Sequence, residues 1–194
     1  MKSNSGKIVI ISSPSGGGKT SICRKLLTPS RKRSGWKFSL SYTTRLKRLG
    51  EVNKREYVFV TKEKFKEFAK SGYFAEHCLV HKYYYGTPRK PLENVLKKGG
   101  VIILDVDVQG AFKLKKVYPH AITIFILPPS LKELKNRLLK RGTETDEQLK
   151  VRFENAKKEM KLKSKFEYTV INNKLEEAVK EVLDIIKNYE PRNK

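Results

Sequence analysis

Ser13-Pro14-Ser15-Gly16-Gly17-Gly18-Lys19-Thr20 follows the apolar run Ile8-Val9-Ile10-Ile11 and precedes a helix-forming stretch that begins at Ser21 and ends at Leu27. Strand, glycine-rich loop, Lys-Thr and helix is the layout of a cradle for nucleotide phosphates. Three consecutive glycines let the backbone turn several N–H groups toward one anion. The helix that starts at the loop adds the positive end of its dipole. Lys19 has the reach for β- and γ-phosphates, and the Thr20 hydroxyl suits Mg²⁺. The pattern G-x-x-x-x-G-K-[ST] is met except at its first position, where Ser13 stands for glycine.

Outward from this loop, strand and helix alternate. Ile8–Ser12, Lys37–Ser41, Val101–Val106, Ala121–Leu127 and Tyr168–Asn172 read as strands, several of them continuous β-branched runs of the kind buried on both faces. Lys19–Leu27, Leu92–Lys98, Gln109–Val117, Leu131–Lys140, Asp146–Lys163 and Leu175–Asn188 read as helices. Ser130 with Glu133, Thr145 with Gln148, and Asn173 with Glu176 are spaced as helix starts. Pro91 suits the first turn of its helix. The order predicts an α/β, three-layer P-loop fold with a mostly parallel five-stranded sheet. Between Ser41 and Arg89 the alternation breaks. Tyr57–Val60, Tyr73–Glu76 and Tyr83–Gly86 read as short strands around one helix, Thr61–Ser71, which makes a mixed α+β insertion. Arg141-Gly142-Thr143-Glu144-Thr145, between two helices, reads as a connection able to act as a small helical lid.

With 194 residues the chain is long enough for one cored domain. No apolar stretch is long enough to cross a membrane, and the N-terminal apolar run is too short for a signal peptide. Cys23 and Cys78 make no disulfide framework, and a reducing, cytoplasmic setting is expected. The formal net charge is +23. It calls for anionic partners, nucleotides or nucleic acid. Most of the excess is lysine spread along helical segments, so nucleic acid is the less favoured of the two. Arg31-Lys32-Arg33-Ser34-Gly35-Trp36 is more basic than the fold requires.

Several further segments, in order and spacing, resemble the guanylate kinase family. They are Ser41-Tyr42-Thr43-Thr44-Arg45, Arg48, Gly50-Glu51-Val52, Tyr57, Tyr84-Tyr85-Gly86-Thr87, Leu104 to Gly110, Pro128-Pro129-Ser130 and Arg141 to Thr145. The likeness runs from about Lys7 to Asn188. It implies one domain over 1–194, with a core of 7–40, 92–136 and 164–190. A GMP-binding insertion would span 41–91 and a lid region 137–163. The activity implied is transfer of the γ-phosphoryl group of ATP to GMP with Mg²⁺, by a monomer or weak homodimer away from membranes.

The acceptor oxygen of a phosphate monoester is already largely anionic at neutral pH, its second pKa being about 6. Such a reaction needs positioning and charge neutralisation rather than a base. By the resemblance, Arg45 and Arg48 grip the GMP phosphate with Tyr57 and Tyr85. Lys19, Arg45, Arg137, Arg141 and Arg152 surround the transferring group. Glu76 accepts guanine N1–H and the 2-amino group together, Ser41 and Thr87 serve the O6 side, and Asp107 assists at the amino group. Ser13, Pro14, Ser15, Gly16, Gly17, Gly18, Lys19, Thr20 and Ser21 hold ATP, with Asn172 at the adenine. Thr20 and Asp105 serve the metal. Lys82-Tyr83 stands where the family usually has Gly-Asn. Two other classes stay open at this point: a guanylate-kinase-like binding module without activity, and a P-loop protein acting on nucleic acid.

Overall fold

A computed structural model describes residues 6–48, 50–55, 57–80, 82–139 and 146–190. The elements run β1 (Lys7–Ser12), α1 (Lys19–Leu26), α2 (Pro29–Arg33), β2 (Trp36–Ser39), β3 (Tyr42–Thr43) and β4 (Val58–Phe59). They continue as α3 (Lys62–Lys70), β5 (Phe74–Val80), β6 (Tyr83–Pro88), α4 (Arg89–Lys97), β7 (Val101–Asp105) and α5 (Val108–Val117). The last are β8 (Ile122–Leu127), α6 (Leu131–Leu139), α7 (Asp146–Met160), β9 (Tyr168–Ile171) and α8 (Leu175–Asn188).

The expected five-stranded parallel sheet is present, in the order β2-β7-β1-β8-β9. Its three-layer packing follows from the two-residue period of a strand. Ile8 and Ile10 of β1 join Leu92, Ile102, Leu104 and Leu114 on one face. Val9 and Ile11 join Ile22, Leu26, Ile103, Val182 and Ile186 on the other. Both faces are covered, so β1 reads as an unbroken apolar run rather than an alternation. The chain leaves β1 toward β2 on one side and β8 lies on the other, so β1 marks a switch point in strand order. A crevice opens outside the carboxyl ends of the strands at such a point. Ser13, Ser41, Asp105 and Asn172 all sit just at or beyond those ends.

The second sheet, β4-β3-β6-β5, is mixed: β3 and β4 pair parallel, and β6 pairs antiparallel with both β3 and β5. Its packing is aromatic rather than aliphatic. Phe65 stacks on Phe74 at 4.6 Å and on Tyr84 at 5.3 Å between ring centres. Gly86 makes this possible, because a Cβ there would come within 2.9 Å of the Phe74 ring and 3.0 Å of Phe65. Alternation along β6 sends Tyr84 into this cluster and turns Tyr85 and Thr87 the other way.

Some boundaries differ from expectation. β2 ends at Ser39, so Ser41 belongs to the connection rather than the strand. The hairpin strands β5 and β6 are longer than expected, and α2, capped by the Thr28 hydroxyl, was not expected at all. Ser130 caps α6 by accepting from the Glu133 N–H at 3.1 Å. Asn173 is not the cap of α8. That position is Lys174, with no side-chain cap bond, while the Asn173 N–H bonds back to Ile171 O. Asn172 is drawn inward instead, as described below. The Arg141–Thr145 connection, with the expected Thr145 cap, lies outside the described residues.

Candidate active site

The glycine loop leaves β1 with Gly16 at φ 89° and Gly18 at φ 92°, both in the left-handed region that favours glycine. Ser13 is buried, and its hydroxyl donates to Pro14 O at 2.9 Å. A Cβ on Gly17 would fall 2.8 Å from that of Ser13, so the serine occupies the space over Gly17. Asn172, at the end of β9, donates its amide to Gly17 O at 3.1 Å, and its own carbonyl accepts from Arg137 Nη2 at 3.0 Å. Arg137 is held as well by Glu133, at 2.8 Å. Asn172 and Arg137 therefore brace the loop around Gly18.

At the head of α1, Thr20 Oγ1 donates to Asp105 Oδ2 at 2.7 Å, and Lys19 Nζ lies 3.4 Å from Asp105 Oδ1. Burial pulls the Lys19 ammonium down, but the Asp105 charge outweighs it, helped by Tyr57 and the Asp105 hydrogen bond. The ammonium is held above the usual lysine range. Hydroxyl and carboxylate oxygens side by side are the hard donors Mg²⁺ prefers. Asp105 Oδ1 is buried and has only the Lys19 ion pair, which leaves it lone-pair capacity for such an ion. These residues fit a magnesium ion carried with phosphates.

The other half of the site is built from the insertion. Arg45 is buried and pairs through two bonds with Glu51, Nη1 to Oε2 at 3.0 Å and Nη2 to Oε1 at 2.8 Å. Nη1 also donates to Leu46 O at 2.6 Å. The rings of Tyr57 and Phe59 lie 5.6 and 5.7 Å from the guanidinium carbon. Of its five N–H groups, two are outside these bonds. The Tyr85 side chain lies near enough to favour the charged form of the same guanidinium. Burial pulls the Arg45 charge down, and the Glu51 hydrogen bonds with Tyr85 more than restore it. Burial raises the Glu51 carboxyl, but the Arg45 and Arg48 bonds bring it below the usual range. Arg48 is exposed, and its N–H donates to Glu51 Oε2 at 2.8 Å. Tyr57 is pushed up to about 12, first by burial and then by the Asp105 charge.

Glu76 stands opposite Thr87 across the β5–β6 ladder. Its Oε1 accepts from the Thr87 hydroxyl at 2.7 Å, while Oε2 is buried with no hydrogen-bond partner. Burial, then the charge of Asp107, pushes this carboxyl up to about 7. Asp107 caps α5, with Oδ1 accepting from Gln109 and Gly110 N–H at 2.7 and 3.1 Å. Its Oδ2 accepts from the Cys78 thiol at 3.4 Å.

One cavity of about 1290 Å³ joins the halves. Ser13, Ser15, Gly16, Gly18, Lys19, Thr20, Ser21 and Asp105 line one side of it. Ser41, Arg45, Arg48, Tyr57, Glu76, Tyr85 and Asp107 line the other, with Arg152 from α7. Pro14, Gly17, Thr87, Arg137 and Asn172 are not in that lining and act on it through their neighbours. Arg141 lies outside the described residues.

Comparison with known proteins decides what this arrangement belongs to. The family model for guanylate kinase matches residues 5–189. The chain belongs to the guanylate kinase family. It is 46% identical over 181 residues to the guanylate kinase of Clostridium tetani, covering 93% of this chain and 85% of that one. It is 41% identical over 183 residues to that of Thermotoga maritima, covering 94% and 87%. The crystal structure of guanylate kinase from Anaplasma phagocytophilum matches with a TM-score of 0.80 at 31% identity, covering 98% of this chain and 88% of that one. The protein is thus a kinase, a nucleotide-binding transferase. No helix among the described residues is long and apolar enough to cross a membrane.

Three residues of this guanylate kinase family site carry more than sequence reasoning assigned them. Glu51, inside the quoted Gly50-Glu51-Val52, clamps Arg45. Its place three residues after Arg48 was the available signal. Glu159 of α7 accepts from the Ser15 N–H at 3.3 Å, and burial holds its carboxyl above the usual range despite Ser15, Lys19 and Arg152. It follows Arg152 by seven residues, two helical turns, so both face the loop. Cys78 follows Glu76 by two residues on the same strand face.

Proposed function

We propose that this kinase transfers the γ-phosphoryl group of ATP to GMP, giving ADP and GDP. The observation that supports it is that Lys19 and Thr20 share one cavity with Arg45 and Glu76. A phosphate cradle and a guanidinium–carboxylate acceptor pocket opening on the same space suit direct transfer between two nucleotides.

In this proposal 41–91 binds GMP, 137–163 closes over the donor, and the remaining core carries ATP. The loop Ser13–Thr20 with Ser21 wraps the donor phosphates. Asn172 and Arg137 hold the loop in shape from behind. Arg45 and Arg48, with Tyr57 and Tyr85, bind the GMP phosphate through charge-assisted hydrogen bonds. Glu51 keeps the Arg45 guanidinium in a single orientation, and the acceptor oxygen with it. Glu76 accepts guanine N1–H and the 2-amino group with its two oxygens, Asp107 adds an acceptor, Ser41 serves the O6 side, and Thr87 acts through Glu76, to which it donates its hydroxyl. Adenine would set its N1 lone pair against the Glu76 carboxylate. A site built for hydrogen bonding rejects such a mismatch by about 10⁴-fold or more.

Thr20 and Asp105 would hold Mg²⁺, which neutralises charge on the β- and γ-phosphate oxygens when bound with ATP. Lys19, Arg152 and Arg141 neutralise the moving phosphoryl group. The acceptor is an anion already, so the chain supplies no base.

A coupled ADP-release assay with ATP, Mg²⁺ and each nucleoside monophosphate in turn tests the proposal. Turnover with GMP far above AMP, CMP and UMP is expected. Preference for AMP would overturn the base assignment. Retention on DNA at moderate ionic strength, with no turnover, would favour a nucleic-acid role instead.

A further inference from the structure

Strand β5 presents Glu76 and Cys78 on one face, toward the start of α5. The Cys78 thiol is buried and donates to Asp107 Oδ2 at 3.4 Å. Burial, then the neighbouring carboxylates Asp107 and Glu76, drive its titration far above the usual thiol range. The sulfur therefore keeps its proton and acts as a neutral donor.

The two oxygens of Asp107 do different work. Oδ1 is committed to the N–H groups of Gln109 and Gly110, and so to the shape of α5. Oδ2 faces Cys78, with acceptor capacity to spare. Beside it Glu76 Oε2 is buried without a hydrogen-bond partner, next to Gly110, where a Cβ would stand 3.5 Å away. The site thus holds an unpartnered carboxylate oxygen next to a second carboxylate oxygen steadied by a thiol.

We propose that Cys78 is a positioning residue for purine selection: its thiol fixes Asp107 Oδ2 as the acceptor for the exocyclic 2-amino group of the base seated on Glu76. This rests on the assignment of the guanine pocket above. An alanine at 78 would leave the cap of α5 intact but let Oδ2 swing. A serine would restore a donor at nearly the same place. The consequence is confined to substrates with a 2-amino group, because a base without one has nothing to give Asp107.

The test compares wild type, Cys78→Ala and Cys78→Ser in steady-state kinetics with GMP and with IMP, which lacks that amino group. The alanine variant is expected to lose about 5- to 10-fold in the GMP-to-IMP ratio of kcat/KM, through a higher KM for GMP. Its kcat and its IMP kinetics stay near wild type, and the serine variant recovers the ratio. An unchanged ratio in the alanine variant overturns the proposal. So does a loss shared equally by GMP and IMP, or a serine variant as impaired as alanine, since either would mean that sulfur only fills space. A wild-type enzyme that does not prefer GMP would overturn the base pocket itself. Failure of the alanine effect in a GMP-preferring enzyme overturns only the role of Cys78.

Discussion

The donor and acceptor halves of the cavity are built in opposite ways. The donor half is a backbone device: Ser13 to Thr20 are consecutive, and two glycines take left-handed φ. The acceptor half is a side-chain device. Arg45, Glu51 and Tyr57 come from the β3–β4 connection, Glu76 from β5, Tyr85 and Thr87 from β6 and Asp107 from the start of α5; Glu51 holds Arg45 and Thr87 holds Glu76. A backbone cradle depends little on single side chains, and Ser13 in place of glycine packs over Gly17 without entering it as a ligand group. A side-chain pocket depends on partners, and removing one releases the next.

The greatest loss is expected at the one donor-half side chain that backbone cannot replace. Lys19→Ala should lower kcat about 10³-fold, read in the ADP-release assay. If activity survives, the cradle works by its amides alone. On the acceptor side, Glu76→Gln places an amide NH₂ where guanine brings donors. A loss of about 10²- to 10³-fold in kcat/KM for GMP is expected, with KM for ATP unchanged. Glu51→Gln touches no base and leaves Arg45 without its charged partner. We expect a KM for GMP raised about 10-fold or more, with kcat changed less. If both constants hold, the acceptor half is less interdependent than its hydrogen bonds indicate.

The pH dependence separates the halves again. Glu76 is raised from 4.5 to about 7 in the folded chain. Guanine binds its ionised form, so KM for GMP should climb as pH falls below about 7, by up to about tenfold per unit. Glu76→Gln, which still sees the titration of the substrate phosphate, should lack this component. The same shift has a stability sign. Between 4.5 and 7 the folded state binds more protons than the unfolded one, so wild-type stability falls with rising pH across that window. Glu76→Gln should be spared that fall, measured by thermal melts at pH 4.5 and 8. The smallest effect is expected at Lys82, which holds φ 74° in the turn between β5 and β6, where the family usually has glycine. Lys82→Gly should stabilise the fold by about 1 kcal/mol in urea unfolding and leave base selectivity alone.

Sequence reading succeeded where structure is local or strictly periodic. Unbroken apolar runs gave the buried parallel strands, and their two-residue alternation needed only the sheet to become two packed faces. Helix α8 was legible end to end, yet its cap was misassigned to Asn173. Neighbouring Asn172 offers its amide to Gly17 across 155 positions of sequence, which no local capping pattern can reveal. The ends of β5 and β6 shifted because pairing across their hairpin, rather than propensity, sets where a strand stops, and β2 stops at Ser39, where its parallel pairing with β7 ends.

By itself the sequence determined the phosphate loop, the five parallel strands and the order of site segments, because these depend on neighbours in the chain. Only the tertiary structure decided that Glu51 clamps Arg45, that Glu76 keeps one buried oxygen unpartnered, and that the Cys78 thiol reaches Asp107. Those relations set charge and hydrogen-bond geometry across strand pairings and across the gap between sheet and helix. Burial, which fixes how strongly each charge is felt, exists only once the chain has folded.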